Sequence, residues 1–287
     1  MYRTSVIVRH TFRESIVQPI YALLVGLGAV VLFVFALLPF FTLGEDVVMY
    51  KAVALDVVLL LVLITTLFAT SKSIYEEIED RTMLTLMSKP VAKWEVLVGK
   101  YLGIVLAAAM AIAILGVVLA LCLWFRVPGD YQLNASTLDD REVRQILGLR
   151  LMHLAGLWPS LLLMWLQISV LAAVSVAIST RVSLVVNLPA VIFIYIAGNL
   201  TQFLGGGWIA GAINTLVPYL ANFDLRQKTV YARIALGGAT VDVNAVHLGE
   251  IWSYTAFAAI YALCYATFAL AAGMLLFQGR ELGGGEG

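Results

Sequence analysis

Charged residues are scarce in this sequence, and their scarcity excludes an ordinary soluble domain. Only 13% of the 287 residues are Asp, Glu, Lys or Arg, and 62% are hydrophobic, whereas soluble domains carry roughly 25% charged residues. The apolar residues cluster into runs of about 20, the length at which a helix crosses a hydrocarbon core about 30 Å thick. The sequence therefore predicts an all-α protein of the lipid bilayer.

Cysteine and histidine are also rare, which argues against a metal or redox centre. Cys122 and Cys264 lie in separate apolar runs rather than in a CxxC pair, and the three histidines are scattered. No metal site is therefore predicted. The formal net charge is zero, so no basic surface points to nucleic acid as a partner.

Six apolar segments of this chain are long enough to span a bilayer. Residues 1–19 precede them and place Val8, Phe12 and Ile16 four residues apart, beside two arginines. This pattern predicts an N-terminal amphipathic helix in the membrane interface that turns at Pro19. The predicted transmembrane helices are residues 20–41, 52–70, 101–125, 153–179, 184–203 and 251–277.

Three longer connections separate these spans, at residues 71–100, 126–152 and 204–250. Within the last one, Gly205–Leu220 is apolar but only about 16 residues long, so it predicts a re-entrant or interfacial helix before span six. Six spans place both termini on one side, and the basic residues weakly favour the cytoplasm for that side. The first connection is then cytoplasmic and the other two are extracytoplasmic.

The connection 71–100 is far more charged than its surroundings and has the pattern of a helix, a turn and a second helix. Ile74, Ile78 and Leu86 share one face, while acidic residues occupy another. Pro90 is expected to break the helix. Trp94 and Lys100 are expected to anchor the approach to span three, as an interfacial aromatic and a snorkelling cation. On pattern alone, a solvated loop whose charges only fix the topology explains the segment equally well.

The motif in this loop resembles the signature of ABC-2-type transporter permeases, the membrane subunits of one group of ATP-driven exporters. It has the form EEIE-x-x-T-x-x-x-L-x-SKPV-x-x-WE-x-x-x-GKYLG and runs from Glu76 to Gly103. One departure is Asp80-Arg81, where many relatives have Arg-Gly. The order of an N-terminal helix, six spans and a coupling helix between spans two and three also agrees with that family.

The resemblance implies that the loop is a cytoplasmic coupling helix that docks on a separate ATPase subunit. It also implies a dimer with a second copy or a similar permease, in the cell (inner) membrane with both termini cytoplasmic, and export as the direction of transport. Complementary polar contacts would supply the specificity of such a small helix. The implied coupling residues are Glu76, Glu77, Glu79, Arg81, Lys89, Pro90, Trp94 and Glu95.

The chain lacks the phosphate-binding motif that ATP hydrolysis requires. A P-loop has the form GxxxxGK[ST], and the single Gly-Lys pair, Gly99-Lys100, is followed by Tyr101 without the upstream glycine. The chain is therefore not expected to be an enzyme. No cofactor is expected in it, and the partner ATPase would bind ATP and Mg²⁺.

Small and polar residues inside the spans predict helix packing. Gly99, Gly103, Ala107 and Ala111 recur every four residues in span three, and Ala258, Ala262 and Ala266 do so in span six. Asp56 is expected to be structural, paired with Lys51 or an outer-loop arginine, and Pro189 allows a kink in span five. Interhelical hydrogen bonds are predicted for Gln167, Asn187, Asn199 and Gln202.

Other classes of function stay open at this point. An ion-coupled transporter or channel that works without an ATPase could use Asp56 and Gln167. An intramembrane enzyme needs catalytic groups that converge within the spans, and no such pair is recognisable in the sequence. A purely structural anchor does not explain so charged a loop.

Overall fold

The structure, a computed structural model, describes residues 2–38, 46–80, 92–130, 147, 150–151, 153–200, 217–224, 231–232, 243–244 and 248–278. Long helices dominate these residues. Their bounds are Tyr2–Val17 (α1), Pro19–Leu37 (α2), Asp46–Thr70 (α3), Lys93–Asp130 (α4), Leu157–Ser179 (α5), Leu184–Leu200 (α6) and Leu248–Gln278 (α7). 

Five described helical stretches are long and apolar enough to cross a membrane: Pro19–Leu37, Met49–Glu79, Lys93–Arg126, His153–Ser179 and Ile251–Phe277. Helix α6 has 17 residues and is about 25 Å long at 1.5 Å per residue. The end of the predicted span 184–203 lies outside the described residues. The all-α membrane class is confirmed, while the count of six spans stays a prediction.

Several helices extend beyond the spans that hydropathy predicts. Helix α3 begins at Asp46 and continues through a π-helical segment, Ser71–Glu76, into a last turn, Glu77–Glu79. Helix α4 already begins at Lys93 and ends at Asp130. Hydropathy marks only the part of a helix that lies in lipid, whereas charged helix formers such as Glu and Lys prolong the helix into water. The predicted loop 71–100 is therefore helical at both ends.

Helix α5 is the centre of the bundle. In its most apolar window of 18 residues 78% are buried, against 22% for α2 at the periphery. It packs against α7, α4, α3 and α6, while α2 packs against α3 and α4. Gly273 of α7 lies so close to α5 that an added Cβ would be 2.9 Å from the Cα of Ala177. The predicted alanine face of span six is buried, as expected, at Ala258, Ala262 and Ala266.

Helix α1 turns into α2 at Pro19, as predicted, and it packs on α4. Its most buried residues lie beside the predicted apolar stripe. Thr11 and Ser15 are each 2% exposed, while Val8, Phe12 and Ile16 are only partly buried. Thr11 faces Gly103 of α4, where an added Cβ would lie 2.7 Å from Thr11 Cβ.

The two ends of the bundle differ in the helix termini that lie there. At one end Arg181 Nε donates to the Leu276 carbonyl at 3.0 Å, and the Lys93 ammonium lies 5.4 Å from the centroid of the Phe277 ring. This end contains α1, the π-helical segment and the start of α4, and is here called the loop end. At the opposite end Arg126 of α4 contacts the end of α2.

The region between α6 and α7 is described only in part. It contains a short 3-10 helix, Leu220–Phe223, and a two-residue antiparallel ladder that pairs Tyr231 with Asn244. Leu220 is buried and packs against Gly198 of α6. The predicted re-entrant helix, Gly205–Leu220, lies almost wholly outside the described residues, and the ladder is a local addition to the helical fold.

Candidate functional site

The candidate site begins where α3 becomes π-helical at the loop end. A π-helix is wider than an α-helix and occurs mostly as single turns, often at functional sites. Ser73 and Ile74 in this segment are buried, and Ile78 in the following turn is 8% exposed. Ile74 and Ile78 share one face, as predicted, and this face packs against α4 and α5 as part of one apolar cluster. Leu86, the third residue of the predicted face, lies outside the described residues.

Lys100 fastens this segment to α4. Its side chain is 3% exposed, and its ammonium group lies 2.6 Å from Glu77 Oε1. It also donates to the carbonyl oxygen of Ser73 and lies 3.2 Å from Ser73 Oγ. The prediction that Lys100 snorkels towards the membrane surface was wrong, because its ammonium group is bound inside the bundle by the half-buried Glu77 carboxylate and by the Ser73 carbonyl.

The acidic residues around this turn divide into two groups. Glu77 turns inward to Lys100, whereas Glu76, Glu79 and Asp80 are exposed. Three acidic side chains thus form a negative surface directly after the rigid end of α3, here called the acidic surface. Of the other predicted coupling residues, Arg81, Lys89 and Pro90 lie outside the described residues.

The second side of the loop is the start of α4. Glu95 Oε2 accepts a hydrogen bond of 3.2 Å from the backbone N–H of Ala92, so this carboxylate closes the first turn in the manner of a capping box. Trp94 is 54% exposed. Together with Tyr101 it borders an apolar groove of about 410 Å³ between α4 and α7. Glu95 is thus a capping residue in this structure, and Trp94 is available to a partner or to lipid.

A buried polar cluster lies at the start of the π-helical segment and joins three helices. The side-chain nitrogen of Asn187 in α6 lies 2.9 Å from Ser71 Oγ, 2.8 Å from Ser175 Oγ and 3.0 Å from Ser179 Oγ. Thr70 Oγ1 lies 2.6 Å from Ser175 Oγ. All five residues are at most 1% exposed. The interhelical role predicted for Asn187 is confirmed, but the sequence did not indicate that its partners are serines from two other helices.

The other polar residues predicted to bond between helices behave differently. The Asn199 side chain donates to the carbonyl of Tyr195 at 2.8 Å, a bond within α6, because a side-chain amide on a helix surface reaches the carbonyl one turn earlier. Gln167 is buried, and Gln202 lies outside the described residues. Asp56 is partly buried and takes part in a polar or electrostatic interaction.

The glycine face predicted for span three holds α1 in place. A Cβ on Gly99 would lie 2.9 Å from Ile7 Cγ2, and one on Gly103 would lie 2.7 Å from Thr11 Cβ. Ala107 and Ala111 continue this face and are buried. The predicted close approach of helix backbones is therefore confirmed, and it places α1 beside Lys100 at the loop end.

The described residues do not suggest a metal centre. Among them no group of three or more His, Cys, Asp or Glu side chains is placed to hold a metal ion. The strongest concentration of polar contacts is instead the assembly of Lys100, Glu77 and the Asn187 cluster around the π-helical segment. Such an assembly can fix the position of a helix end, which is a mechanical rather than a chemical role.

A comparison with protein families identifies the chain. A model described as "ABC-2 family transporter protein" matches residues 8–282, which include every helix from the second turn of α1 to α7. The chain belongs to the ABC-2 transporter family. None of the curated proteins compared with it gives a significant match. As an ABC-2 family protein with several apolar spanning helices, it is a multi-pass membrane protein that functions in transport.

Proposed function

We propose that this ABC-2 family protein is the permease subunit of an ATP-driven exporter. A separate cytoplasmic subunit hydrolyses ATP and docks on the loop between α3 and α4. The observation that carries the proposal is the acidic surface of Glu76, Glu79 and Asp80, which follows a helix running unbroken from a membrane span. A displacement of this surface therefore moves the span directly.

The chemistry of the acidic surface favours a basic protein partner. Ile74 and Ile78 face inward, so the turn offers a partner carboxylates rather than apolar area. Charged groups at the edge of an interface mainly supply orientation and rate of association. Exposed Trp94 supplies an aromatic anchor on the other side of the loop, and aromatic residues of this kind often dominate binding energy.

The orientation we propose places the loop end in the cytoplasm of the cell (inner) membrane. Lys72, Lys93 and Arg181 lie at this end, and basic residues are enriched on the cytoplasmic side of membrane proteins. With α6 as a fifth crossing and α7 as a sixth, both termini are cytoplasmic. Two permeases, either two copies of this chain or this chain and a similar one, move the substrate between their bundles.

Charge reversal of the acidic surface tests ATPase docking. The permease is co-expressed with the ATPase subunit proposed as its partner, and the complex is captured through a tag on the permease. Glu76→Lys/Glu79→Lys is expected to reduce ATPase recovery at least tenfold while membrane insertion stays normal. The control is Asp139→Lys/Glu142→Lys, the same charge change in the predicted outer loop. Full recovery with the first variant contradicts the docking assignment, and transport by the purified permease alone contradicts the ATP-driven mechanism.

A further inference from the structure

The π-helical segment joins the acidic surface to the bundle and is held from two sides by buried polar groups. A continuous α-helix needs no such support, because its backbone groups are satisfied within the helix. A π-helical turn instead contains one residue more than the α-helical register accommodates. The stability of the π-helical turn therefore depends on contacts with neighbouring helices. Those contacts come from α4 and from the Asn187 cluster, which consists of Asn187, Thr70, Ser71, Ser175 and Ser179.

The contact from α4 is the Lys100 ammonium. A buried cation is strongly destabilising unless it is paired and hydrogen-bonded. Here one carboxylate and one backbone carbonyl of the same short stretch bind it. The two acceptors, Glu77 and Ser73, are four residues apart and flank Ile74, which is fully buried. Lys100 thus fixes both the height and the rotation of this turn relative to α4.

The contact from the other side is Asn187. Its amide reaches Ser71, the first residue of the π-helical segment, and at the same time Ser175 and Ser179 of α5. Its Oδ1 atom is buried without a hydrogen-bond partner among the described residues. Because the amide nitrogen carries two hydrogens, it can donate to at most two of these three hydroxyl groups at one time.

We propose that Lys100 and Asn187 are positioning residues that hold the π-helical segment in register and pass its displacement to α4, α5 and α6. The proposal rests on the proposed function, because the displacement originates at a docked ATPase. Re-winding the segment by one residue rotates all later residues by about 100°. The register of the π-helical segment therefore determines whether Glu79 faces outward and Ile78 inward. The contacts made by Lys100 and Asn187 determine that register.

Cysteine accessibility tests the register without an ATPase. In a background of Cys122→Ala/Cys264→Ala, cysteine replaces Ile78, which is buried, or Glu79, which is exposed. A polar maleimide is expected to label position 79 at least tenfold faster than position 78. With Lys100→Met the ratio should fall below threefold, and it should stay low in Lys100→Met/Glu77→Gln, which leaves no unpaired buried charge.

The matched control is Lys93→Met, which removes a lysine two turns earlier on the same helix without touching the π-helical segment. It is expected to keep the tenfold ratio. If Lys100→Met/Glu77→Gln also keeps that ratio, Lys100 does not set the register and the proposal is wrong. If the Lys100 variants fail to insert into the membrane, Asn187→Ala tests the proposal in their place. The ratio of labelling rates at positions 79 and 78 should then also fall below threefold, and a retained tenfold ratio contradicts the proposal.

A second measurement tests the transmission step in the complex with the ATPase. A fluorescent bimane is attached at Val185→Cys, because Val185 is 80% exposed and lies two residues before Asn187. Trapping the ATPase with ATP and vanadate is expected to shift the bimane emission. The shift, normalised to the amount of ATPase recovered with each variant, should be at least threefold smaller in Asn187→Ala and Lys100→Met/Glu77→Gln. Equal shifts in all variants overturn the inference, whereas loss of ATPase from the unmodified permease overturns the proposed function instead.

Discussion

Replacing Gly103 with alanine is expected to displace α1 from α4. A Cβ at this position would lie 2.7 Å from Thr11 Cβ, 2.8 Å from the Val8 carbonyl oxygen and 3.0 Å from the Phe12 nitrogen. Two of these three atoms belong to the backbone of α1 and cannot rotate away. The added methyl group can therefore be accommodated only if the whole helix shifts.

The magnitude follows from the cost of overpacking, which is about 1–3 kcal/mol. The higher helix propensity of alanine does not offset this cost, because α4 is helical whether or not α1 is docked. We therefore expect a loss of about 2 kcal/mol in the docking of α1. At 1.4 kcal/mol per factor of ten, the undocked population of α1 rises about 30-fold.

Hydrogen–deuterium exchange of the α1 amides in lipid nanodiscs measures this population. The matched control is Gly26→Ala in α2, because no atom of the described residues lies within 4 Å of a Cβ at Gly26. That control should leave exchange in α1 unchanged. Gly116→Ala should also leave exchange in α1 unchanged, because a Cβ at Gly116 would meet Leu161 of α5, at 2.6 Å, rather than α1. Equal α1 exchange in the Gly103 and Gly26 variants would refute the packing argument.

Three further predictions concern helix ends and the polar cluster. Arg126→Leu removes the donor to the Phe35 and Ala36 carbonyls, so amide exchange in the last turn of α2 should rise about tenfold, and less in Arg126→Lys. Glu95→Ala removes a cap worth about 0.5 kcal/mol and should increase exchange at residues 92–95 two- to threefold. Asn187→Ala should lower the free energy of unfolding in a detergent titration by about 1–2 kcal/mol. An unchanged value would show that the serines find other partners.

Periodicity and residue size carried the sequence predictions that the structure confirms. Helices with a membrane-spanning length follow from apolar runs, and the close approach at Gly99 and Gly103 follows from small residues four apart. The turn at Pro19 follows from a residue that begins a helix but does not continue one. Each of these properties belongs to a single segment, so no knowledge of its neighbours was needed.

The predictions that failed concern the hydrogen-bond partners of polar side chains. Lys100 was expected to reach water, but Glu77 and Ser73 lie closer to it. Asn199 was expected to bond between helices and instead bonds within its own. In both cases the free energy of a polar group depends on its nearest partner, and distance in the fold is not visible in the sequence.

The sequence by itself determined that this chain is a helical membrane protein with one charged loop, because hydrophobicity, helix length and small-residue spacing act locally. Its motif also indicated the ABC-2 family. Only the tertiary structure decided that α3 passes through a π-helical segment into this loop, and that Lys100 and Asn187 clamp the segment from two sides. A register shift within a helix is stabilised by contacts from other helices, so it exists only once those helices have packed.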